Sequence, residues 1–357
     1  MPAQKVGITE FLTLGKHYPV LDVRSPSEYA YAHIPGAHSF PIFDDAQRKE
    51  IGTTYKQVSR EDAIKIGLKY FGPNMLAFVE KAETILKQYK VPDKKLLVHC
   101  WRGGMRSGAM AWLLNFYGFE VYLLEGGYKN YRHWVLQQLD LPFRFIALGG
   151  FTGSGKTEVL HELSKQGKQI IDLERIASHK GSAFGSMGMN EQPSQEYFEN
   201  ILVAALQPFY HLNDDDPFFQ EHPIWIENES RRIGLINLTE QFYNRLQEAP
   251  LFALDIPFEE RLNFIVEGYG KFDKEKLVNA IIRIQKRLGG LDTKNAINFL
   301  LENDIYSCFR ILLSYYDKQY TQAMEKSNRA IQLMPAPKVD ALINTELVLK
   351  TTQHHAQ

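Results

Sequence analysis

Cysteine is nearly absent from this chain of 357 residues: Cys100 and Cys308 stand alone and far apart. That excludes a disulfide framework and a set of metal-binding cysteines, so each thiol has to be judged by its neighbours. Net charge is nearly absent too, at -1. The protein as a whole therefore offers phosphates no long-range attraction, and a nucleic-acid partner requires a local basic face. Long apolar runs are missing, and residues 1–11 lack a basic region followed by an apolar stretch. A cytoplasmic protein with no membrane partner is the expectation. Core material is plentiful: 44% of residues are hydrophobic and 23% charged. That is a soluble globular composition on a chain long enough for two or three domains.

Short apolar runs alternate with helical stretches, which predicts parallel sheets flanked by helices. The runs of the first part are Val20–Val23, Leu96–His99 and Val121–Leu124, with a charged helical excursion at about 45–90. A link near Leu139–Pro142 leads into a fresh strand, Phe143–Leu148, followed by Ile170–Leu173, Ile224–Glu227 and Leu251–Leu254. From Lys271 the spacing turns helical, with Leu277, Ile281, Ile284 and Leu288 on one stripe. We therefore divide the chain into an α/β domain over 1–139, a second α/β domain over 140–270 and a helical region over 271–357. The tail after Pro335-Ala336-Pro337 is expected to fray.

The most informative segment is Leu97–Ser107, His-Cys-Trp-Arg-Gly-Gly-Met-Arg-Ser from His99 onward. A strand ends at Cys100 and a helix starts near Arg106, with apolar Ala109, Leu113 and Phe116. Between them, Gly103 and Gly104 allow the backbone to wrap its amides around one point. Amide dipoles, the helix start, Arg102 and Arg106 all favour a thiolate at Cys100 and would bind an oxyanion alongside Trp101, Met105 and Ser107. The alternative is a small buried hydrophobe closing a strand; the two arginines and paired glycines have no packing rationale. Cys308, in an apolar helical context, reads as structural.

A second loop, Gly150–Thr157, carries the G-x-x-x-x-G-K-[ST] pattern between an apolar strand and a helix. Amides from Gly153 through Ser154 and Gly155 to Thr157 are expected to enclose a di- or triphosphate, with Lys156 supplying charge and the Thr157 hydroxyl able to meet Mg²⁺. Gly150 opens the loop and is expected to bind the diphosphate with them. Asp172, Glu174 and His179 follow the next strand at the same sheet edge and are candidate acid-base groups; His179 could equally be an ordinary exposed loop histidine. Glu227 and Glu229 could serve a metal or act as a base, and Arg231 and Arg232 could grip phosphate, or the four could form a surface ion-pair cluster.

Flanking segments extend the pattern. Leu21–Arg24 with Glu28-Tyr29 and His33–Ala37, the cysteine loop, and Leu124–Tyr128 together resemble the rhodanese family, in which Asp22, Arg24, Glu28 and His33 would organise the fold. Five residues separate Cys100 from Arg106, one more than in many rhodaneses. That is the spacing of cysteine phosphatases, so the loop alone does not separate chalcogen transfer from phosphate-ester hydrolysis.

A rhodanese-like domain joined to a P-loop domain resembles the tRNA 2-selenouridine synthase family over nearly the whole chain, through the two loops, Leu173–Ser182, Glu227–Gly234 and Arg287–Gly290. The resemblance implies a rhodanese-like parallel-sheet domain, a P-loop NTPase-like α/β domain and a helical C-terminal part. It also implies replacement of sulfur by selenium on wobble 2-thiouridine in the tRNA anticodon loop. The co-substrates would be geranyl diphosphate and selenophosphate, with no tightly bound cofactor. Lys and Arg residues of Lys271–Lys294 with Tyr315, Tyr316 and Tyr320 could contact tRNA, or be a solvated helix face. Two rivals remain: a sulfurtransferase or phosphatase governed by a nucleotide-binding P-loop, and a non-catalytic RNA-binding scaffold.

Overall fold

A computed structural model describes residues 3–90, 93–209, 223–327 and 329–353. The chain divides into two compact units, one reaching Gln138 and including Glu199–Ala204, the other made of Leu139–Phe198 and the chain from Ala205 on. The segment Glu199–Ala204, expected in the second domain, thus groups with the first. There Asn200 Nδ2 donates to the Tyr128 hydroxyl at 2.8 Å and to the His33 carbonyl at 2.8 Å.

The first unit holds a five-stranded parallel sheet ordered β1-β5-β4-β2-β3, from β1 (Gln4–Val6), β2 (Val20–Asp22), β3 (His38–Ser39), β4 (Lys95–His99) and β5 (Glu120–Leu124). The charged excursion forms helices Asp45–Gln57, Arg60–Phe71 and Met75–Tyr89. The first two are capped by Asp44 and Ser59, whose side chains accept from the third helical residue's amide. β2, β4 and β5 bury nearly every side chain on both faces, as a parallel sheet covered by helices requires. Helix Met105–Tyr117 packs through Met110, Ala111, Leu113 and Leu114. Phe116, expected on that stripe, is 81% exposed and stacks on Trp112 instead.

The second unit is another five-stranded parallel sheet, ordered β12-β11-β6-β8-β7. Its strands are β6 (Phe145–Gly150), β7 (Ile170–Ile171), β8 (Ile224–Glu227), β11 (Leu251–Asp255) and β12 (Ile331–Pro335). A short antiparallel hairpin, β9 (Arg232–Ile233) and β10 (Ile236–Asn237), stands apart from it. Helices Phe258–Tyr269, Lys274–Leu288, Gly290–Leu301 and Ile305–Glu325 share one apolar core, into which Leu277, Ile281, Ile284 and Leu288 all point.

Two expectations for the C-terminal region need correction. Residues 331–335 are a strand in parallel register with β11, Leu251 opposite Ile331. The tail does not fray at Pro335-Ala336-Pro337: Ala341–Gln353 is a helix with Val348 fully buried and the Thr345 hydroxyl donating to the Val159 carbonyl. Burial against the helix that follows the phosphate loop, rather than local propensity, makes this segment a helix.

Candidate functional site

The cysteine loop leaves β4 at His99 and enters helix Met105–Tyr117. Gly103 has φ +65°, and a Cβ there would lie 2.8 Å from the Leu124 carbonyl, so the turn admits only glycine. The Tyr128 and Lys129 amides donate to the carbonyls of Cys100 and Trp101 at 2.8 and 2.9 Å, which fixes the loop on the start of helix Gly127–Leu139. Cys100 is only 3% exposed and its Sγ lies 3.2 Å from the Ser107 hydroxyl. Burial opposes ionisation. The Ser107 hydroxyl, the amides of Ser107 and Arg102 and the charge of Arg106 outweigh it and hold the thiol below its usual value.

Arg106 does not stand free for an incoming anion as expected: it donates to Glu28 from Nη1 at 2.6 Å and Nη2 at 3.3 Å. Glu28 is held below the usual carboxylate range, burial opposing and Arg106 prevailing. Arg102 is exposed, and Trp101, Gly104 and Met105 form the open rim. Beneath lies the Asp22–Arg24 pair, 2.6 Å apart and fully buried, with the Arg24 guanidinium 3.6 Å from the Tyr128 ring centroid. Asp22, Arg24, Glu28 and His33 therefore organise the unit.

The phosphate loop sits at the carboxyl end of β6, in the middle of the second sheet. The Gly150 amide donates to the Tyr320 hydroxyl at 2.9 Å and its carbonyl accepts from Lys156 Nζ at 3.0 Å. Gly150, expected to bind diphosphate, thus shapes the loop instead. The Ser154 amide is spent on the Phe151 carbonyl. The amides of Gly153, Gly155 and the first turn of helix Lys156–Lys165 have no acceptor among the described residues, and the buried Ser154 hydroxyl also lacks a partner. Such a set of orphan donors around a lysine favours a phosphate group.

Carboxylates crowd the same edge. The Thr157 hydroxyl donates to Glu174 at 3.0 Å, and Glu174 shares a hydrogen bond with Glu229. Glu227, fully buried, accepts from the Leu173 amide at 2.6 Å and leaves its other oxygen unpartnered. Burial raises Glu174, Glu227 and Glu229 above the usual carboxylate range; neighbouring carboxylates add to it at Glu227 and Glu229, while Lys156 opposes it at Glu174. Asp172 accepts from the Arg175 amide and lies 2.5 Å from His161. Among the described residues no group of three His, Cys, Asp or Glu side chains could hold a metal ion. A cavity of about 1020 Å³ lies elsewhere, at the amino ends of β6, β8, β11 and β12 near Phe145, Trp225, Leu251 and Ile331. In open parallel sheets ligands bind at the carboxyl ends, so the phosphate loop rather than this cavity is the candidate site.

Comparison with known proteins agrees with both loops. The tRNA 2-selenouridine synthase AAA domain family matches residues 143–345 and the rhodanese-like domain family matches residues 10–133. The chain is 32% identical to a tRNA 2-selenouridine synthase of Hydrogenovibrio crunogenus, over 87% of this chain and 90% of that one. Against the enzyme of the same name from Marinobacter nauticus it is 32% identical over 90% and 92% of the two chains, and against that of Shewanella frigidimarina 33% over 86% and 89%. This chain belongs to the tRNA 2-selenouridine synthase family. It is a tRNA-modifying transferase built from a rhodanese-like and a P-loop-like α/β domain.

Several residues singled out by sequence take other places in this synthase-family fold. Arg231 and Arg232 are exposed at the β9–β10 hairpin, where Arg232 donates to the Gly234 carbonyl and Arg231 lies 4.0 Å from Glu240. His179 is buried, not an exposed loop histidine, with its ring against Gly185 and Gly234 and its Nδ1 unpartnered. Burial, and then Arg283, lowers its pKa. The Tyr316 and Tyr320 hydroxyls accept from the Ala183 and Gly150 amides. Cys308 is buried, and its thiol is pushed up to about 12. Conversely, Arg261 escaped the sequence: it donates to the Thr152 and Ile256 carbonyls and pairs with Asp317 at 2.7 Å, pinning the phosphate loop from below. No local pattern links it to a loop more than 100 residues away.

Proposed function

We propose that the protein converts wobble 2-thiouridine of tRNA to 2-selenouridine in two transfers, with S-geranyl-2-thiouridine between them. In the first, the phosphate loop holds the diphosphate of geranyl diphosphate through the amides of Gly153, Gly155, Lys156 and Thr157, with Lys156 leaving the Gly150 carbonyl for the phosphate. The thiocarbonyl sulfur bonds to C1 of the geranyl group as the C1–O bond breaks and its electron pair departs with pyrophosphate, whose charge Lys156 and the amides stabilise. The N3 proton of the base leaves with the alkylation, and the Glu174–Glu229 pair would accept it. A Mg²⁺ ion carried by the diphosphate would meet Thr157 once its hydroxyl leaves Glu174.

Alkylation makes sulfur a leaving group and C2 electrophilic. In the second transfer, selenium of selenophosphate bonds to C2, the C2–S bond breaks to release geranyl thiolate, and water takes the phosphoryl group as orthophosphate. Cys100 serves this step by positioning selenophosphate for attack on C2, with Arg102 and the rim amides meeting the phosphate oxygens. The observation that carries this reading is one chain combining a sulfur surrounded by thiolate-favouring donors with a lysine flanked by unspent amides. A phosphatase would need a free carboxylic acid over Cys100; Asp22 and Glu28 are both spent on arginines.

The test is mass spectrometry of tRNA nucleosides after incubation with both co-substrates, each omitted in turn. Omitting selenophosphate leaves S-geranyl-2-thiouridine, and omitting geranyl diphosphate leaves 2-thiouridine untouched. Selenouridine formed without the prenyl donor contradicts the scheme.

A further inference from the structure

Phosphate and sulfur chemistry leave Arg231 and Arg232 without a task. Both lie where the chain leaves the carboxyl end of β8, the sheet edge that also carries the phosphate loop, and enters the β9–β10 hairpin. Two strands of 2 residues each do not hold a shape alone. Here two glutamines clamp their backbone. Gln192 donates to the Ile233 carbonyl at 3.1 Å and accepts from the Leu235 amide at 2.9 Å. Gln195 grips the carbonyl and amide of Asn237 in the same way, both at 2.8 Å. Gly234 turns the chain at φ +63°, and a Cβ there would lie 2.2 Å from the Gln192 side-chain oxygen. Ile233, Ile236 and Leu238 are buried, while Leu235 at the tip is held in solvent, 73% exposed. Arg231 lies 4.0 Å from Glu240, with both side chains more than half exposed, a pairing worth little in water. Arg232 donates from Nε to the Gly234 carbonyl at 2.9 Å, which stiffens the tip, and is otherwise exposed.

We propose that this hairpin is a wedge for RNA: Leu235 packs against an unpaired nucleotide beside the base to be modified, and Arg231 and Arg232 meet the flanking phosphates. The inference rests on tRNA as the substrate and on neither transfer step, so it stands or falls by binding. A chain of net charge -1 has to supply cations locally to hold a polyanion. Ser230–Asn237 does so, with two arginines and no acidic residue. That charge favours RNA over a protein surface as the cover for the exposed leucine. Chemistry at C2 of a pyrimidine requires the base to be turned out of its stack. A rigid apolar tip fills the space the base leaves, and flanking arginines hold the backbone, as in proteins that unstack nucleotides with an aliphatic side chain. The glutamine clamps explain why so short a hairpin can do this: a tip that yielded would let the stack close again.

The test is the affinity of the full chain for 2-thiouridine tRNA, measured by fluorescence anisotropy over a series of salt concentrations, with a fully paired RNA duplex as the competitor. Leu235→Ser is expected to weaken tRNA binding about fivefold, the low end of what one stacking contact is worth, with the salt slope unchanged and the preference over duplex reduced. Arg231→Ala breaks no hydrogen bond of the hairpin and is expected to lower the slope of log K against log salt by about 0.7, and Arg231→Ala with Arg232→Ala by about 1.4, the worth of one and two single-strand phosphates. Arg231→Ala keeps the test alive where Leu235→Ser fails to fold. Folded variants with wild-type affinity and slope overturn the wedge. So does a Leu235→Ser protein that binds tRNA as wild type does but sediments as a smaller species without RNA, which would make the hairpin a contact between copies of the chain. A wild-type protein that binds the tRNA no better than duplex overturns the tRNA-loop reading, and the wedge with it.

Discussion

The cysteine loop and the phosphate loop both follow a central parallel strand and both open a helix, yet they use their donors differently. Around Cys100 the donors are turned inward: the Ser107 hydroxyl and the amides of Ser107 and Arg102 serve the protein's own sulfur, and Arg106 serves Glu28. Around Lys156 the amides of Gly153, Gly155 and the helix's first turn are unspent among the described residues, and the lysine is parked on a carbonyl it can leave. One loop prepares a nucleophile, while the other awaits a ligand. A buried sulfur already holding its donors is insensitive to solvent anions, whereas a cup of orphan amides takes its shape from the phosphate that fills it.

The largest effect should come from breaking the second loop. Lys156→Ala removes the lysine of the loop and is expected to lower geranyl transfer by about 10²–10³-fold, the scale of losing one preorganised electrostatic contact. Selenation of tRNA that is already geranylated should proceed unchanged, as nucleoside mass spectrometry would show. On the other side, Asp22→Ala strips the partner from an arginine with 1% exposure. A loss of about 3–5 kcal/mol in urea unfolding is expected. In wild type the Asp22 contribution has a defined sign: its carboxyl is held low, burial opposing and His99 and Arg24 prevailing. The stability it supplies is present above the unfolded carboxylate value and lost as pH falls through the folded one.

A smaller effect sharpens the comparison at the sulfur. Ser107→Ala deletes the leading favourable contact to Cys100, so its thiolate fraction should fall, and alkylation by iodoacetamide at pH 7 should slow about tenfold, the worth of one hydrogen bond to a charged group. Cys308 should stay unlabelled in both proteins until they unfold. The smallest effect belongs to Glu227→Gln. The wild-type carboxyl is raised by burial, so the folded protein retains a proton that the unfolded chain releases. That favours folding below the unfolded carboxylate value and is lost as pH rises toward the folded one. The variant should therefore melt at a higher temperature than wild type at pH 8 and show no such gain at pH 4.

Both loops were legible in the sequence because each depends on neighbouring residues: glycines that allow left-handed backbone, a strand before and a helix after. The alternating strands were legible for the same reason, since apolar runs of parallel strands are local. What escaped is what distant segments supply. Ile331–Pro335 becomes a strand by pairing with β11, and Ala341–Gln353 a helix by burial on the phosphate-loop helix. Arg261 and Tyr320 reach the phosphate loop across more than 100 residues. The Glu28–Arg106 pair spans 78 residues, so sequence predicted a free arginine where the fold provides a neutralised one. His179 and Phe116 were misplaced for the same cause, since local polarity or periodicity does not reveal which side of a loop or helix meets a neighbour.

The most direct test of the division of labour is to give a Cys100→Ser protein 2-thiouridine tRNA, geranyl diphosphate and selenophosphate, and to quantify the nucleosides. Accumulation of S-geranyl-2-thiouridine with no 2-selenouridine is the predicted result. Selenouridine at the wild-type level would contradict it.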